Sequence, residues 1–329
     1  MGLNTLFGPR SQGWFIPYRY AATISEPIGY PALENVFAAA RPGMESFLGT
    51  IDGFADALRA IGPDTPPQPR WNQGWFIPYR YADTVSEPIG YPALEKVFAA
   101  ARPDMESFLA VIDGFADALQ AIGPDAPPQP RWNQGWFPRL DGASAYAMVR
   151  TRHPSRIVEI GSGHSTRFMA RAVADGYLNT EITAIDPAPR AAINGLGVTH
   201  IAATLHDTDV AVFETLAPGD IMFIDSSHVL MPGTDVDYLL NTIWPSLPSG
   251  VVVHIHDILL PDGYPVAWSW RGYNEQSGVA PLLSSGDAKL LFGSHYAATR
   301  LAESMEATVI GQLALIDGTL ETSLWIEKS

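Results

Sequence analysis

Two pairs of acidic and imidazole side chains follow two short apolar runs in the C-terminal half of the chain. Asp225 and His228 come after one run, and His256 and Asp257 come at the end of another. Ligands of open parallel sheets bind beyond the carboxyl ends of the strands, so these side chains are expected in one crevice. Imidazoles and carboxylates act as general bases, and carboxylates hold divalent ions. Their positions therefore make Asp225, His228, His256 and Asp257 candidates for catalysis in that crevice.

A glycine-rich turn precedes these residues and reads Glu-Ile-Gly-Ser-Gly-His-Ser-Thr over residues 159–166. Gly161 and Gly163 allow a tight turn and a close approach to a ligand, and the following helix offers its N-terminal amides. Asp186 closes the next apolar run, where an acid can accept hydrogen bonds from ribose hydroxyls. Thr166 stands where dinucleotide folds prefer a third glycine. The pattern indicates a nucleoside ligand other than a dinucleotide.

Apolar runs alternate with helical stretches from Arg156 onward, which is typical of a parallel sheet flanked by helices. The helical candidates include Thr166–Ala174 and Val236–Trp244. The predicted strands are Ile157–Ile160, Ile182–Ile185, Val198–Ala202, Ile221–Ile224, Val251–Ile255, Leu290–Phe292 and Leu324–Ile326. The sequence thus predicts an α/β fold with a seven-stranded, doubly wound, Rossmann-like sheet.

Residues 12–72 and 73–133 are two copies of a 61-residue unit that differ at eight positions, and a third copy begins at Gln134 but breaks off after Phe137. In the first copy, Met44–Ile61 has the apolar spacing of an amphipathic helix, and a shorter helix near Ala32–Arg41 is expected before it. The sequence therefore predicts an N-terminal tail (1–11), two tandem helical units (12–72 and 73–133) and a catalytic domain (134–329). We expect the helical repeat to support a homo-oligomer.

Composition narrows the function further. The 329 residues carry a formal net charge of -15, which disfavours binding to nucleic acid. The absence of cysteine excludes thiol nucleophiles and Cys-ligated metals. No apolar run is long enough for a membrane span, so a cytoplasmic protein without a membrane partner is expected.

The chemistry-bearing stretches together resemble class I S-adenosylmethionine-dependent methyltransferases, over about Asp141 to Ser329. The stretches that carry the resemblance are 159–166, Ile185-Asp186, Phe223-Ile-Asp-Ser-Ser-His228, and Leu247-Pro-Ser-Gly250 leading into 251–257. The resemblance implies S-adenosylmethionine as cofactor, contacted by Glu159, Gly161, Ser162, Gly163, Ser165, Asp186 and Asp225. It also implies that Asp225, His228, His256 and Asp257 face the methyl acceptor. In the metal-dependent O-methyltransferases an acid after strand four and an acidic pair after strand five hold magnesium, and here Asp225 and Asp257 match in part, so Mg²⁺ or another divalent ion stays open.

Motifs and residues that the sequence lacks reduce the number of possible methyl acceptors. An Asn-Pro-Pro-Tyr or Asp-Pro-Pro-Tyr motif, typical of methylation of base amines, does not occur, and cytosine-C5 methylation needs a cysteine. We therefore expect the hydroxyl of a small molecule or a sugar as acceptor. A long loop follows the fifth strand, and its Arg271, Asn274 and Glu275 are predicted to contact the substrate.

Two other functions remain open at this point. The chain could bind the cofactor without transferring methyl, as an assembly or regulatory module, because a fold does not guarantee its chemistry. It could also be an oxygenase-like relative on the same fold. Release of S-adenosylhomocysteine with an acceptor distinguishes the methyltransferase from both.

Overall fold

The computed structural model describes residues 13–17, 74–78, 84, 90–123 and 126–329. The helices predicted for the first copy of the repeat lie outside these residues. The chain forms two compact units, the first comprising 1–87, 229–246 and 267–273, and the second comprising 88–228, 247–266 and 274–329.

The second unit contains a seven-stranded sheet, as the sequence predicts. Its strands are β3 (Arg156–Ile160), β4 (Glu181–Ile185), β5 (Thr199–Ile201), β6 (Ile221–Ile224), β7 (Val252–Ile255), β8 (Ala288–Gly293) and β9 (Leu324–Lys328). Their order across the sheet is β5-β4-β3-β6-β7-β9-β8. β3, β4, β5, β6 and β7 are parallel to one another, whereas β9 is antiparallel to both β7 and β8. β6 and β7 are buried at every position, which explains why they occur as continuous apolar runs rather than alternating ones.

The helices of this unit precede the first strand of the sheet or connect its strands. They are α1 (Pro92–Asp113), α2 (Ala116–Gln120), α3 (Arg139–Arg152), α4 (His164–Asp175), α5 (Ala211–Glu214), α8 (Gln276–Ser285), α9 (Ser294–Arg300) and α10 (Ala302–Glu306), with 3-10 turns at Leu205–Asp207 and Val309–Gln312. The helix predicted after the glycine turn is α4, and it begins two residues earlier than predicted.

Helix α1 corrects the expectation of two separate helices in each repeat unit. In the second copy the helix runs without interruption through Pro103, which sequence rules treat as a break. Its apolar face is buried on both sides of the proline, at Leu94, Phe98, Met105, Leu109 and Ile112. Burial of these side chains contributes more than the one hydrogen bond that Pro103 removes.

Packing of α1 also extends the second unit toward the N-terminus. The ring of Phe98 lies 5.2 Å from that of Tyr296, and Phe108 meets Phe292 of β8 at 5.0 Å. Arg300 binds both Glu95 of α1 and Asp262. The compact unit that contains the sheet therefore includes α1, which precedes residue 134.

The first unit contains two strands that the sequence analysis did not predict. β1 (Gly13–Pro17) and β2 (Gly74–Pro78) are equivalent segments of the two repeat copies, and they pair antiparallel as a two-stranded sheet. The predicted helix Val236–Trp244 is confirmed in this unit, as α6 (Asp235–Tyr238), a π-helical turn (Leu239–Ile243) and α7 (Trp244–Ser246). A 3-10 helix occurs at Val266–Arg271.

Among the described residues, none of the helices is long and apolar enough to cross a membrane.

Gly161 provides a test of the tight turn that follows β3. Its φ is +79°, and a Cβ there would lie 2.1 Å from the backbone oxygen of Asp225. We expect Gly161→Ala to lower the free energy of unfolding by more than ~2 kcal/mol, because a left-handed conformation costs ~1–2 kcal/mol and the backbone must also move. Calorimetric or chemical unfolding measures the change.

Gly195 is the matched control, since its φ is +86° but no atom lies within 4 Å of the position that a Cβ would take there. Gly195→Ala should therefore lower the free energy of unfolding only by the conformational cost of ~1–2 kcal/mol. Equal effects of the two substitutions would show that the approach of Asp225 to Gly161 does not constrain the turn.

Candidate active site

The glycine turn lies where the order of the sheet reverses, between β3 and β6. Gly161 donates its amide to the carbonyl of Ile185 at 3.0 Å, and Asp225 donates its amide to Ile160 at 2.9 Å. The turn is therefore joined to the ends of β4 and β6. Such a switch point is where open α/β sheets bind ligands.

Glu159 holds the start of α4 against this turn. It is fully buried, and its carboxylate accepts hydrogen bonds from the hydroxyls of Ser165 and Thr166, both at 2.6 Å. Burial raises the pKa of Glu159 to about 8, although the two hydroxyl donors oppose the change. Glu159 and Ser165, both predicted to contact the cofactor, thus bond to each other and fix the direction of α4.

Asp186 organises the other side of the turn. Its Oδ2 accepts hydrogen bonds from the amide of Ser162 at 2.8 Å and from the hydroxyl of Ser162 at 3.1 Å, while Oδ1 accepts from the amide of Ala188 at 2.7 Å. A carboxylate offers about four acceptor positions, so one on Oδ1 remains for a further donor. This capacity fits a hydroxyl of a bound ribose.

The ends of β6 and β7 bring together the acidic and imidazole residues selected from the sequence. His228 Nε2 lies 3.3 Å from Asp225 Oδ1 and 3.6 Å from Asp257 Oδ2. His256 Nδ1 lies 3.6 Å from Asp225 Oδ1 and 3.8 Å from Asp257 Oδ1. The two imidazoles thus face the same two carboxylates, and we refer to Asp225, His228, His256 and Asp257 as the His-Asp cluster.

Two further carboxylates bind the outer nitrogens of the imidazoles. Glu275 Oε2 lies 2.8 Å from His228 Nδ1, and Asp141 Oδ2 lies 3.4 Å from His256 Nε2. Both acids are almost completely buried, at 1% and 0% exposure respectively. Each imidazole therefore lies between an outer carboxylate and the central pair of aspartates.

Asp141 and Thr322 are residues of this site that the sequence analysis missed. Asp141, in the first turn of α3, accepts backbone hydrogen bonds from Thr322 at 3.0 and 3.1 Å and from Ser323 at 2.9 Å. The hydroxyl of Thr322 donates to Asp257 Oδ1 at 3.1 Å. The only sequence signal was an acid in the first turn of a helix, which does not reveal a partner 181 residues away.

The residues predicted to contact substrate have different surroundings. Glu275 is bonded to His228, and the amides of Asn274 and Glu275 donate to the carbonyl of His228 at 3.0 and 3.2 Å. Arg271 belongs to the first unit, where its guanidinium lies 4.0 Å from the ring centre of Trp268 and within 5.5 Å of those of Trp270 and Tyr273.

His254, the third imidazole on these strands, is part of the core. Its ring stacks on Phe223 at 3.7 Å, and its Nε2 lies 2.8 Å from the hydroxyl of Ser323. Burial lowers the pKa of His254 well below the usual range, and the nearby His256 adds to the effect. His254 is therefore neutral, in contrast to the imidazoles of the cluster.

Charge pairing makes the imidazoles of the cluster strongly basic. Burial alone would lower the pKa of His256, but the charge of Asp257 and the bonds with Asp141 and Asp225 raise it to about 10. The pKa of His228 is likewise raised well above its usual value by Asp225 and Glu275, against the effect of burial. Burial would raise the pKa of Asp225, yet the two imidazoles hold it well below its usual range.

Two residues of the cluster have left-handed backbones. His228 has φ +62° and Asp257 has φ +54°, and only two other non-glycine residues in the described part of the chain have positive φ. Strained conformations of this kind tend to occur at functional sites.

The donor arrangement bears on the predicted metal ion. Within residues 90–123 and 126–329 and the two short strands, no group of three or more His, Asp or Glu side chains is arranged to hold one. The carboxylates of Asp225 and Asp257 face imidazoles instead. The predicted divalent ion therefore receives no support from the geometry of these side chains.

Comparison with known families gives one match. Residues 158–258, from β3 to just beyond β7, match the family described as a methyltransferase domain. This segment includes the glycine turn, Asp186 and the His-Asp cluster. No curated protein matches the sequence significantly.

Solved structures that match this chain include the S-adenosylhomocysteine-bound methyltransferase PaMTH1 of Podospora anserina, at 16% identity over 74% of this chain and 99% of that chain, with a TM-score of 0.37. An O-methyltransferase from Bacillus cereus, also bound to S-adenosylhomocysteine, matches at 14% identity over 76% of this chain and 96% of that chain, with a TM-score of 0.35. Scores this low identify neither substrate nor mechanism. Residues 158–258, which contain the glycine turn and the acid after β4, are therefore similar to a methyltransferase domain.

Proposed function

We propose that this protein transfers a methyl group from S-adenosylmethionine to a hydroxyl group of a small molecule or a sugar. The observation that supports this acceptor is the His-Asp cluster beside the glycine turn. Asp225 links the two, because its carbonyl oxygen abuts Gly161 and its carboxylate faces both imidazoles. A cofactor on the turn and an acceptor on the cluster would then be adjacent.

The cofactor would bind to residues that hydrogen bonds already hold in position. Asp186 has an acceptor position left for a ribose hydroxyl, and the left-handed backbone of Gly161 lets the turn close tightly against Asp225. Ser162 is held by Asp186, and Ser165 by Glu159, so both serines would shape the binding surface. When bound, S-adenosylmethionine supplies an electrophilic methyl group on a positively charged sulfur.

The cluster would remove the acceptor's proton. A neutral hydroxyl is a weak nucleophile, and a positioned base typically contributes a factor of about 10²–10⁴ in rate. As the oxygen forms its bond to the methyl carbon and the carbon–sulfur bond breaks, the hydroxyl proton passes to His256 or His228. Asp225 and Asp257 stabilise the imidazolium that results.

His256 must change its protonation state before it can act as the base. With a pKa of about 10, His256 is protonated at neutral pH and must lose a proton before it can accept one. A positive charge next to the cluster lowers the pKa of an imidazole. Binding of the cationic cofactor would therefore favour the neutral, reactive form.

The loop after β7 would contribute to acceptor binding. We propose that Arg271 and Asn274 contact the substrate and that Glu275 acts through His228, because its carboxylate is buried against Nδ1. Glu275 is thus assigned a positioning role, which differs from the substrate contact expected from the sequence. The cytoplasmic location stays a prediction.

Cofactor binding can be tested without knowing the acceptor. Asp186→Asn should weaken binding of S-adenosylmethionine about ten- to a hundredfold, because a charge-assisted hydrogen bond contributes about 1.5–3 kcal/mol. Titration calorimetry measures the affinity. Undiminished affinity would contradict the role of Asp186.

Asp220 offers a matched control. It is also buried and also binds backbone amides, those of Arg156 and Ala217, but it precedes β6 at the opposite end of the sheet from Asp186. Asp220→Asn should leave the affinity unchanged apart from any loss of stability. Equal loss of affinity in both variants would point to a general structural effect.

Turnover can be tested with a panel of phenol, sugar, carboxylate, amine and thiol acceptors, by measuring release of S-adenosylhomocysteine. We expect activity with hydroxyl acceptors, and a rate that rises from pH 7 toward pH 10, because the reactive imidazole is neutral and the pKa of His256 is about 10. His256→Gln or His228→Gln should lower the rate about a hundredfold or more, with cofactor affinity little changed.

Three outcomes would contradict the proposal or part of it. Cofactor binding without turnover on any acceptor would favour the binding module, and activity restricted to amines or thiols would exclude the hydroxyl. Loss of activity on chelation and recovery with Mg²⁺ or Mn²⁺ would restore the metal hypothesis. His295→Gln serves as the control, since His295 is paired with Asp262 outside the cluster, at 2.7 Å.

A further inference from the structure

β1 and β2 are the same strand in two copies. Both have the sequence Gly-Trp-Phe-Ile-Pro, and each position of β2 lies 61 residues after its equivalent in β1. A strand that pairs with an identical strand must be compatible with itself. The two segments therefore form a self-complementary pair.

The register of this pair is symmetric. Gly13 lies opposite Pro78, Phe15 opposite Phe76, and Pro17 opposite Gly74. Phe15 and Phe76 are equivalent positions of the repeat, so the pairing is centred on equivalent residues. A local twofold axis therefore passes between them, as at the interface of a symmetric homodimer.

The same opening sequence does not form a strand in the third, incomplete copy. Gly135-Trp136-Phe137 is followed by Pro138, and Gln134 accepts the amides of Trp136 and Phe137 at 2.8 Å, which makes a turn before α3. Only the segments that continue as Ile-Pro are paired. The third copy therefore does not compete for the partner of β2.

We infer that Gly74–Pro78 is a self-pairing strand whose partner is either Gly13–Pro17 of its own chain or the equivalent strand of a second copy of this chain. The backbone hydrogen bonds and the register would be the same in both cases. The two partners differ only in concentration, because tethering gives an effective concentration on the order of millimolar or lower. The strand of the same chain is therefore the preferred partner of β2 unless its own pairing is prevented.

The chain is well suited to a disulfide test because it contains no cysteine. Opposite residues of an antiparallel pair have Cα atoms about 4.5–5.5 Å apart, which lies within the range that a disulfide can span. The full-length variant Phe15→Cys with Phe76→Cys should form an intrachain disulfide on mild oxidation. Absence of any disulfide would overturn the register and with it the inference.

The decisive variant combines Ile16→Pro with Phe76→Cys in the full-length chain. The pairs that contain Pro17 and Pro78 lack an amide donor, so the hydrogen-bonded pairs of this ladder are the alternate ones, including Ile16 opposite Trp75. Proline at residue 16 therefore removes a donor of the ladder and disrupts the pairing of β1. Two β2 strands from different chains should then pair, with residue 76 opposite its counterpart, and become linked by a disulfide. Non-reducing electrophoresis should show about tenfold more covalent dimer than for Phe76→Cys alone, and light scattering should show a dimer that grows with concentration.

Ile16→Ala with Phe76→Cys is the matched control, because it replaces the same side chain but leaves the backbone of β1 able to pair. It should remain as monomeric as Phe76→Cys alone. Heat unfolding of every variant checks that the fold persists. A proline variant that stays folded, monomeric and reduced, or equal covalent dimer in the proline and alanine variants, would overturn the inference.

Discussion

Two protonated imidazoles allow four acidic side chains to share one site at the end of the sheet. Asp141, Asp225, Asp257 and Glu275 lie within 4 Å of His228 or His256. Buried carboxylates without counter-charges would repel one another and lose their hydration. The paired imidazoles hold the pKa of Asp225 well below its usual range, and the rest of the site is arranged around this balance of charge. Backbone amides of Thr322 and Ser323 add further donors, on Asp141.

The strands and the centre of the site could be predicted because they depend on local signals. Short apolar runs ending in Asp or His mark β6 and β7, and parallel pairing then requires Asp225 and Asp257 to be neighbours. The contacts of Asp141 and Thr322 could not be predicted, since they join distant parts of the chain and neither residue has a distinctive pattern. Glu275 was selected from the sequence as a substrate contact, but its burial against His228 depends on the path of the loop.

The repeat was misjudged where packing overrides a local rule. Pro103 indicates a helix boundary, yet α1 continues through it because both halves of the helix bury apolar side chains against the same unit. β1 and β2 escaped prediction for a different reason. Each is five residues long, ends in proline and gains its hydrogen bonds only from the other copy, so neither copy alone carries a clear strand signal.

The left-handed backbones of His228 and Asp257 lower the stability of the fold, whereas their side chains belong to the His-Asp cluster. Glycine or asparagine at either position would relieve a conformational cost of about 1 kcal/mol, and proteins are readily stabilised by such changes. Either replacement would also remove an imidazole or a charge from the cluster. A population of variants selected for thermal endurance alone would therefore tend to lose these two side chains first. Sequences that keep both at the ends of β6 and β7 would record selection for activity rather than for durability.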